Sequence, residues 1–162
     1  MCEGESTFAK ALELDRKVWE VLPKIQARKA KEVLELESHG LDGLRCGLEL
    51  KFNSELYHYS VITHHSDRLK IAITECHWYH YLKKSDRLDI APRVAETVCF
   101  LELNVWAREF GCGFSASLSE TKCAGHGDCR FCFTYPAETS GKKNTDEVSP
   151  APQRPDSGHG AD

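Results

Sequence analysis

Long apolar runs are absent from this sequence, and so is a marked excess of charge of one sign. Without an apolar run of about 20 residues no transmembrane helix is expected, and residues 1–15 are too acidic and too interrupted for a secretory signal peptide. The 21 basic and 25 acidic residues give a formal charge of −4, which argues against nucleic acid as a partner. We therefore expect a soluble, cytoplasmic protein that binds neither membranes nor nucleic acid.

Cysteine, by contrast, is abundant, with eight residues in a chain of 162. Disulfides are rare in the cytoplasm, so these residues are expected to be thiols or metal ligands. The densest group is Cys123, Cys129 and Cys132, which surround the turn-forming segment 125–128 and its His126. Thiolate and imidazole groups bind soft metal ions, and thiolates are also nucleophiles, so this segment is the first candidate for a functional site.

The segment around these cysteines has the pattern of a β-hairpin. Its predicted parts are a strand, a turn and a return strand, at residues 115–123, 125–128 and 129–135. The two-residue period of a strand places Cys129 on the same face as Phe131 and Phe133, and Cys132 on the opposite face. We therefore do not expect Cys129 and Cys132 to bind one metal ion as a simple pair.

The N-terminal half of the chain predicts helices followed by another hairpin. Residues 6–38 carry apolar side chains at helical spacing, and Pro23 is expected to kink or divide the run. Gly43 and Gly47 predict a loop after this helical segment. Residues 55–76 alternate in the manner of a β-hairpin, so this half should contribute two strands to a sheet.

Residues 89–110 are predicted to form one long helix. Cys99 lies on or near its apolar stripe, and Glu102, one turn further on, lies beside the same face. An isolated buried carboxylate is costly and needs a partner, which makes Cys99 and Glu102 a candidate functional pair. The alternative is that Cys99 is a small buried apolar residue and that Glu102 faces solvent.

These elements predict an α+β fold in a single domain over residues 1–135. An antiparallel sheet from two hairpins is expected to pack with the N-terminal helical segment and with the one long central helix. Residues 136–162 contain a single large aliphatic residue and are otherwise small, polar or structure-breaking. Such a segment cannot bury enough apolar surface to order itself, so a disordered tail is predicted there.

An ordered set of motifs runs through residues 55–135. Its parts, in order, are Cys76 followed by Trp78 and a helix, Cys99 with Glu102, the tetrapeptide ETKC ending at Cys123, a glycine turn, and Cys-x-Phe-x-Phe beginning at Cys129. This set resembles the L-2-amino-thiazoline-4-carboxylic acid hydrolase family. It is more distantly similar to the 4-vinyl reductase domain, which is a small-molecule-binding module.

The C-terminal part of this resemblance fits in two registers. Members of both families usually carry a Gly-Asp pair whose acid stands three residues before a cysteine. Here His126 takes the place of the acid at that distance from Cys129, whereas Asp128 stands four residues before Cys132. Both cysteines therefore stay candidates for the equivalent position, and we prefer Cys129 because Phe131 then also fits.

The resemblance implies an enzyme that hydrolyses a C–N bond in a small cyclic substrate of the 2-aminothiazoline carboxylate type. Opening such a ring requires an activated water or thiolate, a proton donor for the leaving nitrogen and a cation for the carboxylate. The candidate catalytic residues are Cys99, Glu102 and His126. The candidates for substrate binding are Arg93, Arg130 and Trp78.

The resemblance also implies a metal-binding alternative. In the enzyme, Cys76, Cys99 and Cys129 would converge, either around a metal ion that activates water or with one thiolate as the nucleophile. In a binding module, structural zinc would be held by four ligands, for example Cys76, Cys99, Cys123 and Cys129. An iron–sulfur site and a fold with reduced, metal-free cysteines complete the alternatives.

The expected partner is a small-molecule substrate or ligand, and the expected cofactor, if any, is zinc or iron. The aromatic-rich stretch 77–81 is a candidate contact with a second subunit, so a homodimer is considered as well.

Overall fold

The computed structural model describes residues 2–36 and 40–135, and the tail predicted at 136–162 lies outside the described residues. The α-helices of the described ranges are α1 (Cys2–Trp19), α2 (Leu22–Val33), α3 (Leu41–Ser54), α4 (His77–Lys84), α5 (Ala91–Val94) and α6 (Phe100–Phe110). The predicted break in the N-terminal helical segment is confirmed. Pro23 lies in the first turn of α2. Backbone N–H groups in a first turn have no acceptor within the helix, so proline costs no hydrogen bond there.

The predicted long helix is a continuous helical run of three geometries. A 3₁₀ turn at Leu88–Ile90 leads into α5, a π turn at Ala95–Cys99 follows, and α6 completes the run. A π turn holds one more residue than an α turn, so it rotates the side chains before it relative to those after it. Cys99 is the last residue of this π turn, next to the start of α6.

The sheet has four antiparallel strands in the order β1-β2-β4-β3. The strands are β1 (His58–His64), β2 (Arg68–Glu75), β3 (Ser115–Glu120) and β4 (Cys129–Thr134). Two hairpins, β1–β2 and β3–β4, join through their inner strands β2 and β4. The α+β fold with a sheet built from two hairpins is therefore confirmed.

The core lies between one face of this sheet and helices α2, α3 and α6. Alternate residues of the inner strands are buried, among them Ile71 of β2 and Phe133 of β4. The helices contribute Leu48, Trp106 and Phe110 to the same cluster. The core face of β4 carries Phe131, Phe133 and the partly buried Cys129, which is the face that the strand period predicted.

The loop predicted at Gly43 and Gly47 is wrong, because both glycines lie inside helix α3. A Cβ built at Gly47 would lie 2.5 Å from Cζ of the Phe110 ring. Glycine is therefore present here because α3 packs closely against Phe110, and not because the chain turns. Within the described residues no helix is long and apolar enough to cross a membrane.

Candidate functional site

A small cavity of about 30 Å³ lies between the sheet and the helices, at the end of the sheet where β2 finishes and β4 begins. Three cysteines line it, each from a different element: Cys76 directly after β2, Cys99 at the end of the π turn and Cys129 at the start of β4. The remaining lining residues are Lys51, Phe52, Tyr57, Ile73, Glu102, Leu103 and Phe131. We call this the thiol cavity.

Strand pairing brings the cysteines of the two hairpins together. In the β2–β4 register Cys129 pairs with Ile73, and Ile73 is only three residues before Cys76 in the chain. Helix packing supplies Cys99 and Glu102, which both line the cavity, in agreement with the shared helix face predicted for them. Residues far apart in the sequence therefore meet because the inner strands pair and the long helical run packs into the same core.

A fourth cysteine, Cys123, lies next to the cavity in a 3₁₀ turn at Lys122–Ala124. The backbone N–H of Lys122 donates a hydrogen bond to Sγ of Cys129 over 3.4 Å. The Lys122 ammonium group donates to the carbonyl oxygen of Thr74, near the end of β2. These bonds hold the β3–β4 connection against β2, so Cys123 stays close to the three cavity thiols.

Burial dominates the protonation of the thiols. It raises the pKa of the Cys99 thiol well above its ordinary value of 9.0, and Cys76 and Glu102 raise it further. Burial, together with Cys129 and Cys76, raises the pKa of Cys123 to about 11. The pKa of Cys129 is also raised by burial, although the Lys122 N–H opposes this. At neutral pH these three groups are thiols rather than thiolates.

A buried lysine forms the polar wall of the cavity. Lys51 is only 4% exposed, and its Nζ lies 2.6 Å from Oε1 of Glu102 and 2.6 Å from Oε1 of Glu55. The Glu102 contact is a close ion pair, and Oε1 of Glu102 has no other polar partner among the described residues. Burial raises the pKa of Glu102, while the charge of Lys51 opposes that rise. Glu102 therefore has Lys51 as its cationic neighbour, the like charge of Glu55 beyond it, and little solvent.

Lys51 and Tyr57 were missed by the sequence interpretation. Burial raises the pKa of the Tyr57 phenol, and the neighbouring Cys76 and Glu102 add to this effect. Once residues 43–54 are assigned to a helix, Lys51 lies three residues after the apolar Leu48 and one before Phe52, on the buried side of that helix. A charged residue at a core position of a helix is the signal that would have identified it.

Four of the predicted site residues lie away from the cavity. Trp78 is 51% exposed on α4, and His126 is exposed in the β3–β4 connection. Arg130 lies on the outer face of β4, where it pairs with Glu120 over 3.2 Å. Arg93 is exposed on α5, and its guanidinium group lies 4.8 Å from the ring centre of Phe8. Local sequence patterns placed these residues near the cysteines, but their side chains point outward.

The donor chemistry of the cavity suits a soft metal ion, because several thiols from separate elements converge there without a disulfide among the described cysteines. The positions of these side chains, however, do not form a metal site. Within residues 2–36 and 40–135 no group of three histidine, cysteine, aspartate or glutamate side chains is arranged so that it could hold a metal ion. A metal site would therefore require the thiols to turn toward a common point.

Comparison of the chain with protein-family models, with curated proteins and with solved structures gives no match. The resemblance to the L-2-amino-thiazoline-4-carboxylic acid hydrolase family and to the 4-vinyl reductase domain therefore stays a prediction from the motifs quoted above.

Proposed function

We propose that the chain is a binding module whose thiol cavity takes a soft divalent metal ion, with zinc as the first candidate. One observation carries this proposal: cysteines from three separate elements, Cys76, Cys99 and Cys129, line one small cavity, and Cys123 is near enough to raise the pKa of Cys99. Four thiolates are a complete ligand set for zinc and also a suitable one for iron. The more distant of the two resemblances, to the 4-vinyl reductase domain, points in the same direction.

The chemistry of the cavity gives these thiols a reason to bind a cation. Each buried thiol is neutral on its own because the interior disfavours the thiolate. A divalent cation at the cavity would favour the thiolates and release their protons, so affinity should rise with pH. The Lys51 ammonium group is already engaged by two carboxylates, so it is not free to serve as the counter-charge for thiolates.

Hydrolysis of a cyclic C–N substrate is the second candidate, and Glu102 is the observation that favours it. A carboxyl group with a raised pKa beside several thiols is suited to hold and release a proton. The cavity volume of about 30 Å³ argues against this candidate, because it accommodates about one water molecule and not a five-membered ring with a carboxylate. The geometry therefore favours binding over hydrolysis.

The decisive experiment is the metal content of anaerobically purified protein, measured by elemental analysis together with an absorption spectrum. We expect about one zinc per chain and no visible colour; a coloured protein with iron would identify an iron site instead. Cys99→Ser and Cys129→Ser should each lose the metal.

Cys132→Ser is the matched control, because Cys132 is on the same strand as Cys129 but on the opposite face. It should keep the metal. Absence of bound metal in wild-type protein even after incubation with zinc would contradict the proposal, and so would equal loss from the Cys129 and Cys132 variants. Far-ultraviolet circular dichroism of each variant separates loss of metal from loss of fold.

The cellular setting and the oligomeric state belong to the same proposal. A reducing compartment such as the cytoplasm keeps the cysteines as free thiols, which the site needs. Trp78 and Tyr81 on α4 are 51% and 66% exposed, and they supply the apolar surface for the proposed homodimer. Light scattering after size-exclusion chromatography tests this, and Trp78→Ser with Tyr81→Ser should shift a dimer to a monomer.

A further inference from the structure

The N-terminal helices carry a second apolar row, on the side that faces away from the core. The core side of α2 buries Ala27 and Ala30. Val21, between the two helices, has right-handed helical backbone angles, and its carbonyl oxygen accepts a hydrogen bond from the Ile25 N–H over 3.4 Å. The helical spacing of α1 therefore continues into α2. The exposed row consists of aliphatic residues that are 38% to 66% exposed: Leu14, Val18, Val21, Leu22 and Ile25. We call it the α1–α2 stripe.

The spacing of the stripe is that of a contact between two helices. Leu14, Val18, Val21 and Ile25 follow one another at intervals of four, three and four residues. This alternation, filled with β-branched residues and leucine, is the seam that one helix presents to another in a coiled coil. Leu14 and Val18 also border a depression of about 390 Å³, which offers space for inserted side chains. Exposed aliphatic rows gain stability when they are covered, and the spacing here fits an α-helix.

Three lysines run beside the stripe. Lys10, Lys17 and Lys24 recur every seven residues, which is about two helical turns, so they lie on one flank of the stripe. Their side chains are exposed, and none forms a hydrogen bond or an ion pair within the described residues. The carboxylate of Glu13, near Lys17, is held by Arg16. We call these three the lysine row, and its charge calls for acidic groups on whatever covers the stripe.

A second copy of the chain does not supply those acidic groups. Antiparallel pairing of two stripes would set one lysine row against the other. Parallel pairing would match Lys10 with Asp15 but would set Lys24 against Lys29 of the other copy. Because like charges across such a seam are unfavourable, the charges favour a different partner.

An anionic membrane surface fits the stripe less well than an acidic helix does. A helix lying in a membrane interface has cations on both flanks of its apolar face, and it commonly carries aromatic residues on that face. Here the stripe is aliphatic, and the exposed Asp15 lies on the flank opposite the lysine row, where it would meet anionic headgroups.

From these observations we infer that the α1–α2 stripe binds an acidic amphipathic α-helix of a partner protein. Aliphatic residues of that helix would cover Leu14, Val18, Val21 and Ile25, and a row of glutamates or aspartates would face the lysine row. This inference does not rest on the proposed metal site, so the metal-free Cys99→Ser variant should bind the same helix with wild-type affinity.

The test uses two fluorescein-labelled peptides of three heptads, both with isoleucine at a and leucine at d. One carries glutamate at every e and g position, and the other carries lysine there. We expect fluorescence anisotropy to show the glutamate peptide binding the full-length protein at least about tenfold more tightly than the lysine peptide, with the difference shrinking as salt is added. Equal binding of the two peptides, or no binding of the glutamate peptide, would overturn the inference.

A matched pair of variants localises the contact. Ile25→Asp places a charge in the stripe and should weaken binding of the glutamate peptide more than tenfold. Ile62→Asp is the control, because Ile62 is 50% exposed on β1, outside the stripe. It should bind as the wild type does. Equal affinities in the two variants would exclude the stripe, and circular dichroism checks that both are folded.

Reversing the lysine row tests the charge argument. The double variant Lys17→Glu, Lys24→Glu should prefer the lysine peptide, whereas Lys83→Glu, Lys84→Glu on α4 has the same net charge and should keep the wild-type preference. Two results would assign the stripe to another occupant and overturn the inference. One is a wild-type dimer that Ile25→Asp converts to a monomer in light scattering. The other is binding to phosphatidylglycerol vesicles that Ile25→Asp abolishes.

Discussion

The thiol cavity is small and rich in reactive groups, whereas the helical groove, the depression between α2, α3 and α6, is large and mostly apolar. Lys51 lines both. The cavity has about 30 Å³ and carries three cysteines, a glutamate and a tyrosine, whereas the groove has about 420 Å³ and mostly apolar walls. Volume alone would have selected the groove as the functional site. The comparison teaches that reactive groups and ligand-sized space are separated in this fold, with one lysine between them.

The largest expected effect comes from removing that lysine. Lys51→Met leaves Glu102 buried without its cation, so the free energy of unfolding at pH 7 should fall by about 3–5 kcal/mol. Burial already places the pKa of Glu102 above its ordinary 4.5, so the folded state holds this proton more tightly than the unfolded state. The loss should therefore grow as pH rises above 4.5 and shrink toward pH 4.

Urea unfolding at pH 4.5 and pH 7 measures this effect. Lys29→Met is the control, because Lys29 also lines the groove but forms an exposed ion pair with Glu32. Its stability should change by less than about 0.5 kcal/mol. Equal losses of stability in the two variants would contradict the prediction that Glu102 is destabilising when its buried partner Lys51 is removed.

An intermediate effect is expected for thiol reactivity. With its pKa at about 11 in place of 9.0, Cys123 should carry about a hundredfold less thiolate than an ordinary cysteine at pH 8. Alkylation of metal-free protein, followed by peptide mass spectrometry, should therefore label the exposed Cys112 first and Cys123 much later. The Cys123 rate should rise about tenfold per pH unit up to pH 11, and a rate that levels off near pH 9 would contradict the burial of this cysteine.

The smallest expected effect distinguishes the two glutamate carboxylates that pair with Lys51, those of Glu102 and Glu55. Glu102→Gln removes the group with the raised pKa, so it should abolish the decline in stability from pH 4.5 to 7 that this group causes. Glu55→Gln, on the groove side, should leave that pH dependence in place. Thermal unfolding across this pH range compares them, and an unchanged slope in Glu102→Gln would assign the decline to other groups.

Much of the fold could be predicted from local patterns. The alternation in both hairpins and the helical spacing before and after Pro23 are visible over a few residues, and the structure has the same elements. The strand period also placed Cys129 on the core face with Phe131. Gly47 shows the limit, because the same glycine signal serves for a loop and for a close helix contact, and only the distant Phe110 decides between them.

The candidate site was predictable only in part. Helical spacing was sufficient to bring Cys99 and Glu102 to one face, since both lie on the same continuous helical run. The partnership of Glu102 with Lys51 joins two different helices, so no local pattern encodes it. The outward position of Arg130 follows from the strand period, which puts Arg130 on the face opposite Cys129. The exposure of His126 depends on how the turn lies on the finished sheet, which spacing along the chain does not determine.

The pairing of β2 with β4 has a consequence for folding. Each hairpin can form from neighbouring residues, but Cys76 follows one of them and Cys129 begins the other, so the two meet only when the inner strands dock. Contacts of this sequence separation form late because they close a long loop. A chain with both hairpins formed and undocked would have nearly all its strand structure and still lack the thiol cavity, so protection of these cysteines should report the docking of the two hairpins.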